Sequence, residues 1–170
     1  AFHTGKRLFV GTQEASPQAI DFSNDGLKLF VLGSSSDNIY QYDLINPFDL
    51  DGATYSGVVF SLGTQTSAPT GLAFNRDGSI MITIGSTSDR MFIYDLSTPF
   101  DVSTASYTEV TRSVSAFETS PQSLYLDKAG SRLYLTGATQ NRVIPFTLPE
   151  NNAFLEKAAN DGTVTGSMII

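Results

Sequence analysis

The chain has 170 residues, 41% of them apolar, enough to fold around a real core. Its formal charge of −7 and pI near 4.4 repel a phosphate backbone and offer no basic face to a bilayer, so neither nucleic acid nor membrane insertion is expected. It contains no cysteine, which excludes disulfides and thiolate zinc sites, and no apolar run approaches the ~18 residues of a membrane span.

The chain opens with Lys6 to Val10, an apolar-containing stretch that ends at Gly11-Thr12-Gln13. Gly63-Thr64-Gln65 repeats that turn 52 residues later. The same offset relates Pro17, Pro69 and Pro121, then Gly26, Gly78 and Gly130, then Gly33, Gly85 and Gly137. It also aligns Tyr42-Asp43-Leu44 with Tyr94-Asp95-Leu96, and Pro47-Phe48-Asp49 with Pro99-Phe100-Asp101. A fixed period of this length is the mark of an array built from one supersecondary unit. The units divide the chain into residues 1–15, 16–67, 68–119 and 120–170.

The middle unit shows what each contains. Pro69 to Asn75 alternates apolar and small or polar residues, as a half-buried strand does, and proline suits a strand's first position. Arg76-Asp77-Gly78 is a hairpin turn. Ser79 to Ile84 is apolar almost throughout, as expected of a strand covered on both faces. Gly85 to Asp89 turns the chain into a third strand, Arg90 to Leu96, and Tyr107 to Ser115 makes a fourth. Four antiparallel strands per unit of about 50 residues define a β-propeller blade. The fold expected is therefore all-β, about three blades of a propeller. Residues 1–15 supply the orphan last strand of another blade, Lys6 to Val10. The third unit degenerates after Leu148, where Ala153-Phe154-Leu155 and Asn160-Asp161-Gly162 suggest a further turn and strand.

The phrases Ser16-Pro17, Ile39-Tyr40-Gln41-Tyr42-Asp43-Leu44 with Pro47-Phe48-Asp49, and Met91 to Leu96 with Ser97-Thr98-Pro99-Phe100-Asp101 resemble the repeats of YVTN/NHL-type β-propellers. In particular they resemble the "YDLSTPFD" propeller repeats of marine bacteriophage structural proteins and of surface proteins of environmental bacteria. The third copy departs, with Phe146-Thr147-Leu148 in place of Tyr-Asp-Leu. The resemblance implies a virion or cell-surface part, extracellular in location, that contacts protein neighbours or a host-surface glycan.

Residue chemistry points the same way. Asp25, Asp77, Asp37, Asp89, Asp43, Asp95, Asp49 and Asp101 recur with the period, whereas catalytic acids occur once, so these are read as caps of backbone turns. Asp49-Leu50-Asp51-Gly52 is the densest acidic spot and lacks the further ligands of a calcium loop. Tyr42 and Tyr94, replaced by Phe146, are read as filling between blades and not as sugar platforms. His3 is the sole histidine and sits near the chain's end, where no base or metal ligand is expected. Asp21, Asn75 and Asp127 fall near the ends of innermost strands, where propeller hydrolases and lactonases hold their reactive groups, but out of register. Arg90 and Arg142 in the place of Asn38, and Arg76 and Lys128 in the place of Asn24, are basic departures on turns. The expectation is a non-catalytic structural or adhesive protein with no catalytic, cofactor or metal residues; the alternative is an extracellular propeller lectin, hydrolase or lactonase. Buried positions are expected at Phe22, Phe74 and Leu126, and at Leu29, Met81 and Leu133. A three-blade wedge should leave two apolar faces in water. Either a second chain or further blades would cover them, and further blades are the reading preferred from sequence.

Overall fold

The structure, a computed structural model, describes residues 5–127 and 130–148. Three antiparallel sheets follow one another along the chain. The first orders β1 (Pro17–Phe22), β2 (Lys28–Gly33), β3 (Asn38–Asp43) and β4 (Thr54–Ser61) side by side. The second repeats this with β5 (Pro69–Phe74), β6 (Ile80–Gly85), β7 (Arg90–Leu96) and β8 (Ala105–Ser113). The third contains β9 (Pro121–Leu126), β10 (Arg132–Gly137) and β11 (Val143–Thr147). Meandering sheets stacked face to face are the blades of a β-propeller, here an open set. No helix among the described residues is long and apolar enough to cross a membrane.

Each fourth strand joins its blade through the same bulge. Register shifts between Tyr40 and Tyr42, and again between Phe92 and Tyr94. The opposing strand takes a left-handed residue there, Gly57 at φ 84° and Glu109 at φ 63°. The hydroxyls of Ser56 and Thr108 donate to the bulged carbonyls of Gln41 and Ile93, both at 2.8 Å. The fourth strand of the second blade starts at Ala105 and ends at Ser113, earlier at both ends than the expected Tyr107 to Ser115. A short 3-10 turn, Val102–Thr104, precedes it; the Asp101 carboxylate accepts from the Ser103 N–H at 3.0 Å and holds the turn.

Packing runs from blade to blade. Phe30, Leu32, Ile39 and Leu62 of the first blade interlock with Leu72, Phe74, Met81, Phe92 and Tyr94 of the second. The opposite face of the second blade, with Ala73, Ile82, Ile84 and Met91, meets Leu124, Leu133 and Leu135 of the third. A separate cluster of Leu29, Val31, Tyr40, Tyr42 and Leu44 lies on the outer face of the first blade, and Leu8 and Val10 pack against it.

Lys6 to Val10 pairs with none of the three sheets; a last strand completing a blade begun elsewhere has no partner in them. Two sequence expectations need correction. Phe22 and Leu126 are half-buried, unlike Phe74, since among the described residues only the middle blade has a sheet on each side. The wedge does not leave two apolar faces open. The cluster on the first blade is buried with Leu8 and Val10 packed against it, and the exposed large apolar side chains among the described residues are scattered, with Ile20, Ile45, Phe48 and Val59 on the first blade and Tyr125 and Val143 on the third. His3, Lys128, Ala153 to Leu155 and Asn160 to Gly162 lie outside the described residues.

Phe74 lies 4.4 Å, ring to ring, from Phe30 and 5.6 Å from Phe100, so its loss opens a cavity between two sheets that cannot close. Phe74→Ala should cost about 3–5 kcal/mol in urea unfolding, and Phe22→Ala clearly less. Equal losses at the two sites would contradict this packing.

Candidate functional site

The repeated acids are mostly consumed in turns. Asp25 accepts from the Leu27 N–H at 3.0 Å, Asp77 from Ser79 at 3.0 Å and Asp49 from Asp51 at 3.0 Å. Lys6 closes on Asp49 at 2.6 Å and neutralises part of the Asp49–Asp51 spot. Asp43 and Asp95 differ from the expected turn role, since each is an exposed residue within its strand ladder, last in β3 and next to last in β7. Asp37 and Asp89 adopt left-handed backbone at φ 55° and 48°, and their Oδ1 atoms are buried without a partner. Tyr42 and Tyr94 are fully buried between packed side chains and present no ring to a sugar. Arg76, Arg90 and Arg142 are exposed.

The Pro-Phe-Asp motif has a local reason. Phe48 and Phe100 are held at φ 57° and 55°, a region costly for a bulky residue. In return each ring covers the glycine of the first hairpin, Gly26 or Gly78, where a Cβ would collide with it. Each Phe N–H also donates to that glycine's carbonyl, at 2.9 and 3.0 Å.

A second device escaped the sequence reading. Glu14, Thr66 and Glu118 occupy one position of the period and are all buried. Glu14 accepts from the N–H groups of Ser16 at 2.7 Å and Ser35 at 3.1 Å, and from the hydroxyls of Ser35 and Ser36. Glu118 accepts from the N–H groups of Ser120, Thr139 and Gln140 at 2.9, 3.0 and 3.0 Å. Each carboxylate thus ties the segment before a blade's first strand to the turn between its second and third. Gly33 and Gly137 make room, since a Cβ at either would stand inside the glutamate side chain. The signal available in sequence was Glu-x-Ser-Pro at both Glu14 and Glu118, two periods apart.

Asp21, Asn75 and Asp127, scattered in register, do line one cavity of about 730 Å³ across the ends of β1, β5 and β9. Phe48, Arg76, Phe100 and Tyr125 also line it. Sequence reasoning reached its polar members but not its aromatic ones. Asp21 reaches across the blade boundary: Oδ2 accepts from the Phe74 N–H at 2.9 Å, and Oδ1 from its neighbour Phe22 at 2.8 Å. Burial pushes its carboxyl above the ordinary range, against the pull of those two bonds. Asn75 is turned into its own hairpin, accepting from Ile80 N–H at 2.9 Å and donating to Ser79 at 3.2 Å. Asp127 is held below its ordinary range, chiefly by the Arg132 N–H and then by Ser131. Among the described residues no group of three or more His, Cys, Asp or Glu is placed to hold a metal.

No family model matches the chain, and no curated protein matches it. Solved structures do share its shape. A proposed 6-phosphogluconolactonase from Bacteroides uniformis aligns with TM-score 0.59 at 17% identity, over 89% of this chain and 43% of its own. The Swd1 β-propeller domain from Myceliophteria thermophila aligns with TM-score 0.58 at 12% identity, over 78% and 40%. The periplasmic gluconolactonase of Pseudomonas aeruginosa aligns with TM-score 0.56 at 15% identity, over 79% and 36%. The chain is thus similar in fold to β-propellers and spans less than half the length of these structures. At such identities the likeness concerns fold and not activity.

The glutamate clasps predict acid sensitivity. The Thr139 hydrogen bond, with those of the neighbouring N–H groups, lowers Glu118 from 4.5 to about 2; bonds from Ser35, Ser36 and Ser16 also lower Glu14, outweighing its burial. A carboxyl lowered on folding contributes stability above its unfolded value, and that contribution is lost as pH falls from about 4.5 towards 2. Thermal melts should show this loss, and Glu118→Gln should flatten it while lowering stability at pH 7. An unchanged pH slope in the variant would contradict the clasp.

Proposed function

We propose that the chain is a non-catalytic propeller segment of a structural or adhesive protein, displayed on a virion or cell surface and working through protein contacts. The observation that carries this reading is the state of the polar groups at the inner-strand cavity. Asp21 and Asn75 are turned into backbone hydrogen bonds, and Asp127 is spent holding a hairpin. A general base must reach its substrate's proton, and these atoms are already engaged. Exposed Ile20, Phe48 and Tyr125 rim the same cavity, which suits a peptide or protein surface. The resemblance of the Tyr-Asp-Leu and Pro-Phe-Asp phrases to phage and surface repeats supports the virion or extracellular setting.

A second reading, lactone hydrolysis, is favoured by one feature: the cavity gathers two carboxylates and an amide at the ends of the innermost strands. One assay separates the two. The chain should not hydrolyse gluconolactone or 6-phosphogluconolactone above the buffer rate, with or without added divalent metal. Turnover abolished by Asp127→Asn would overturn the scaffold reading. Asp21→Ala, which leaves the buried Phe74 N–H unpaired, should instead act on stability, by about 1–3 kcal/mol in denaturant melts.

A further inference from the structure

The segment before β1 carries a fourth strand's backbone without a fourth strand's blade. Gly5 sits at φ 82°, one period before Gly57 at φ 84° and two before Glu109 at φ 63°, the bulge residues of β4 and β8. The turn that ends it is the turn that ends those strands. The N–H groups of Gln13 and Glu14 both donate to the Val10 carbonyl, those of Gln65 and Thr66 to Leu62, and those of Phe117 and Glu118 to Val114. Leu8 and Val10 lie against the first blade, as Phe60 of β4 and Leu62 just after it lie against the second. Conformation, termination and packing therefore agree, although Lys6 to Val10 belongs to no sheet among the described residues.

A fourth strand in this state fits the edge of a third strand. β11 offers one, at the side of a sheet described with three strands. Pro145 does not spoil that edge. It falls where Gln41 and Ile93 stand, the bulge positions that β4 and β8 skip in their pairing. The fully buried position filled by Leu62 and Val114 would be filled by Val10, whereas the same ungapped offset within the chain arrives at Gly166.

We infer that two copies of this chain join head to tail, with Lys6–Val10 of each pairing with β11 of the other as the fourth strand of its third blade. The contact continues the blade-to-blade interface already present twice in the chain. It turns the exposed Tyr125 and Val143 face of one copy towards the first blade of the next. Two such contacts close a six-bladed ring, a number within the usual range of about 4–8. The association specifies the protein partner of the proposed function and rests on that reading only for its setting. Lactone turnover by a dimer would overturn the scaffold reading and leave this one standing.

The pairings Asn38 with Ser61 and Arg90 with Ser113 set the register, and place Arg142 of one copy opposite Phe9 of the other. Both residues are exposed, and the chain has no native cysteine. Light scattering of the unmodified 170-residue chain should return twice its 18.3 kDa. Air oxidation of the Phe9→Cys, Arg142→Cys double variant should give a covalent dimer on a non-reducing gel, at least fivefold more than either single variant. A monomeric mass for the unmodified chain would overturn the inference. So would a dimer whose double variant cross-links no better than the singles.

Discussion

A propeller blade has no face made for water. Its strands are apolar on both sides at their centres, so each sheet is stable only when another sheet lies against each face. The three innermost strands show the consequence. They share sequence pattern, length and turn chemistry, yet β5 is buried along its whole length while β1 and β9 are largely exposed or half-buried. The difference comes from the neighbours and not from the strands. Burial of this kind contributes in proportion to apolar area removed from water, so the middle blade gains it on two faces and its neighbours on fewer.

The contacts between blades also set the chemistry of the polar groups. The first two blades are joined by Asp21 to the Phe74 N–H, by Lys28 to the Phe100 carbonyl at 3.0 Å and by Gln41 to the Val102 N–H at 3.3 Å. The second and third are joined by the Thr70 hydroxyl to the Pro121 carbonyl at 2.9 Å. Asp21, Lys28 and Gln41 break the repeat, each at a position where the second blade has an apolar residue: Ala73, Ile80 and Ile93. In a protein with so few charged groups, a departure from the period invites a functional reading. Here the departures give one interface a set of directional bonds and fix how the first blade sits on the second. An unpaired buried donor costs more than its bond contributes, so each such residue specifies geometry more than it adds stability.

Strand identity was legible because period, proline, turn glycine and alternation agreed in every copy. Arg90–Leu96 was read to the residue, and Pro69–Phe74 to within one. What was not legible depends on partners distant in sequence. Lys6 to Val10 aligns by period with a fourth strand, yet a ladder needs a second strand that alignment cannot supply. Phe22 and Phe74 are equivalent by period and differ only in what lies against them. Of the cavity, Asp21, Asn75 and Asp127 could be named because strand ends are visible in sequence; Phe48 and Tyr125 could not, because Phe48 is brought there by a loop folded back over its own blade's Gly26, and Tyr125 stands in β9 on a side whose neighbours are set by packing between blades. The Glu14 and Glu118 clasps were missed for another reason. These two acids do not recur in neighbouring units, since they are separated by a unit in which Thr66 takes the place.

The central claim is that each blade is held by its neighbours' faces and not by its own sheet. Amide hydrogen exchange resolved by strand tests it directly. The account predicts the slowest exchange in β5, β6 and β7, at rates set by global unfolding, with faster exchange in β9, β10 and β11 through local opening. Protection of the third blade equal to or greater than that of the second would contradict it.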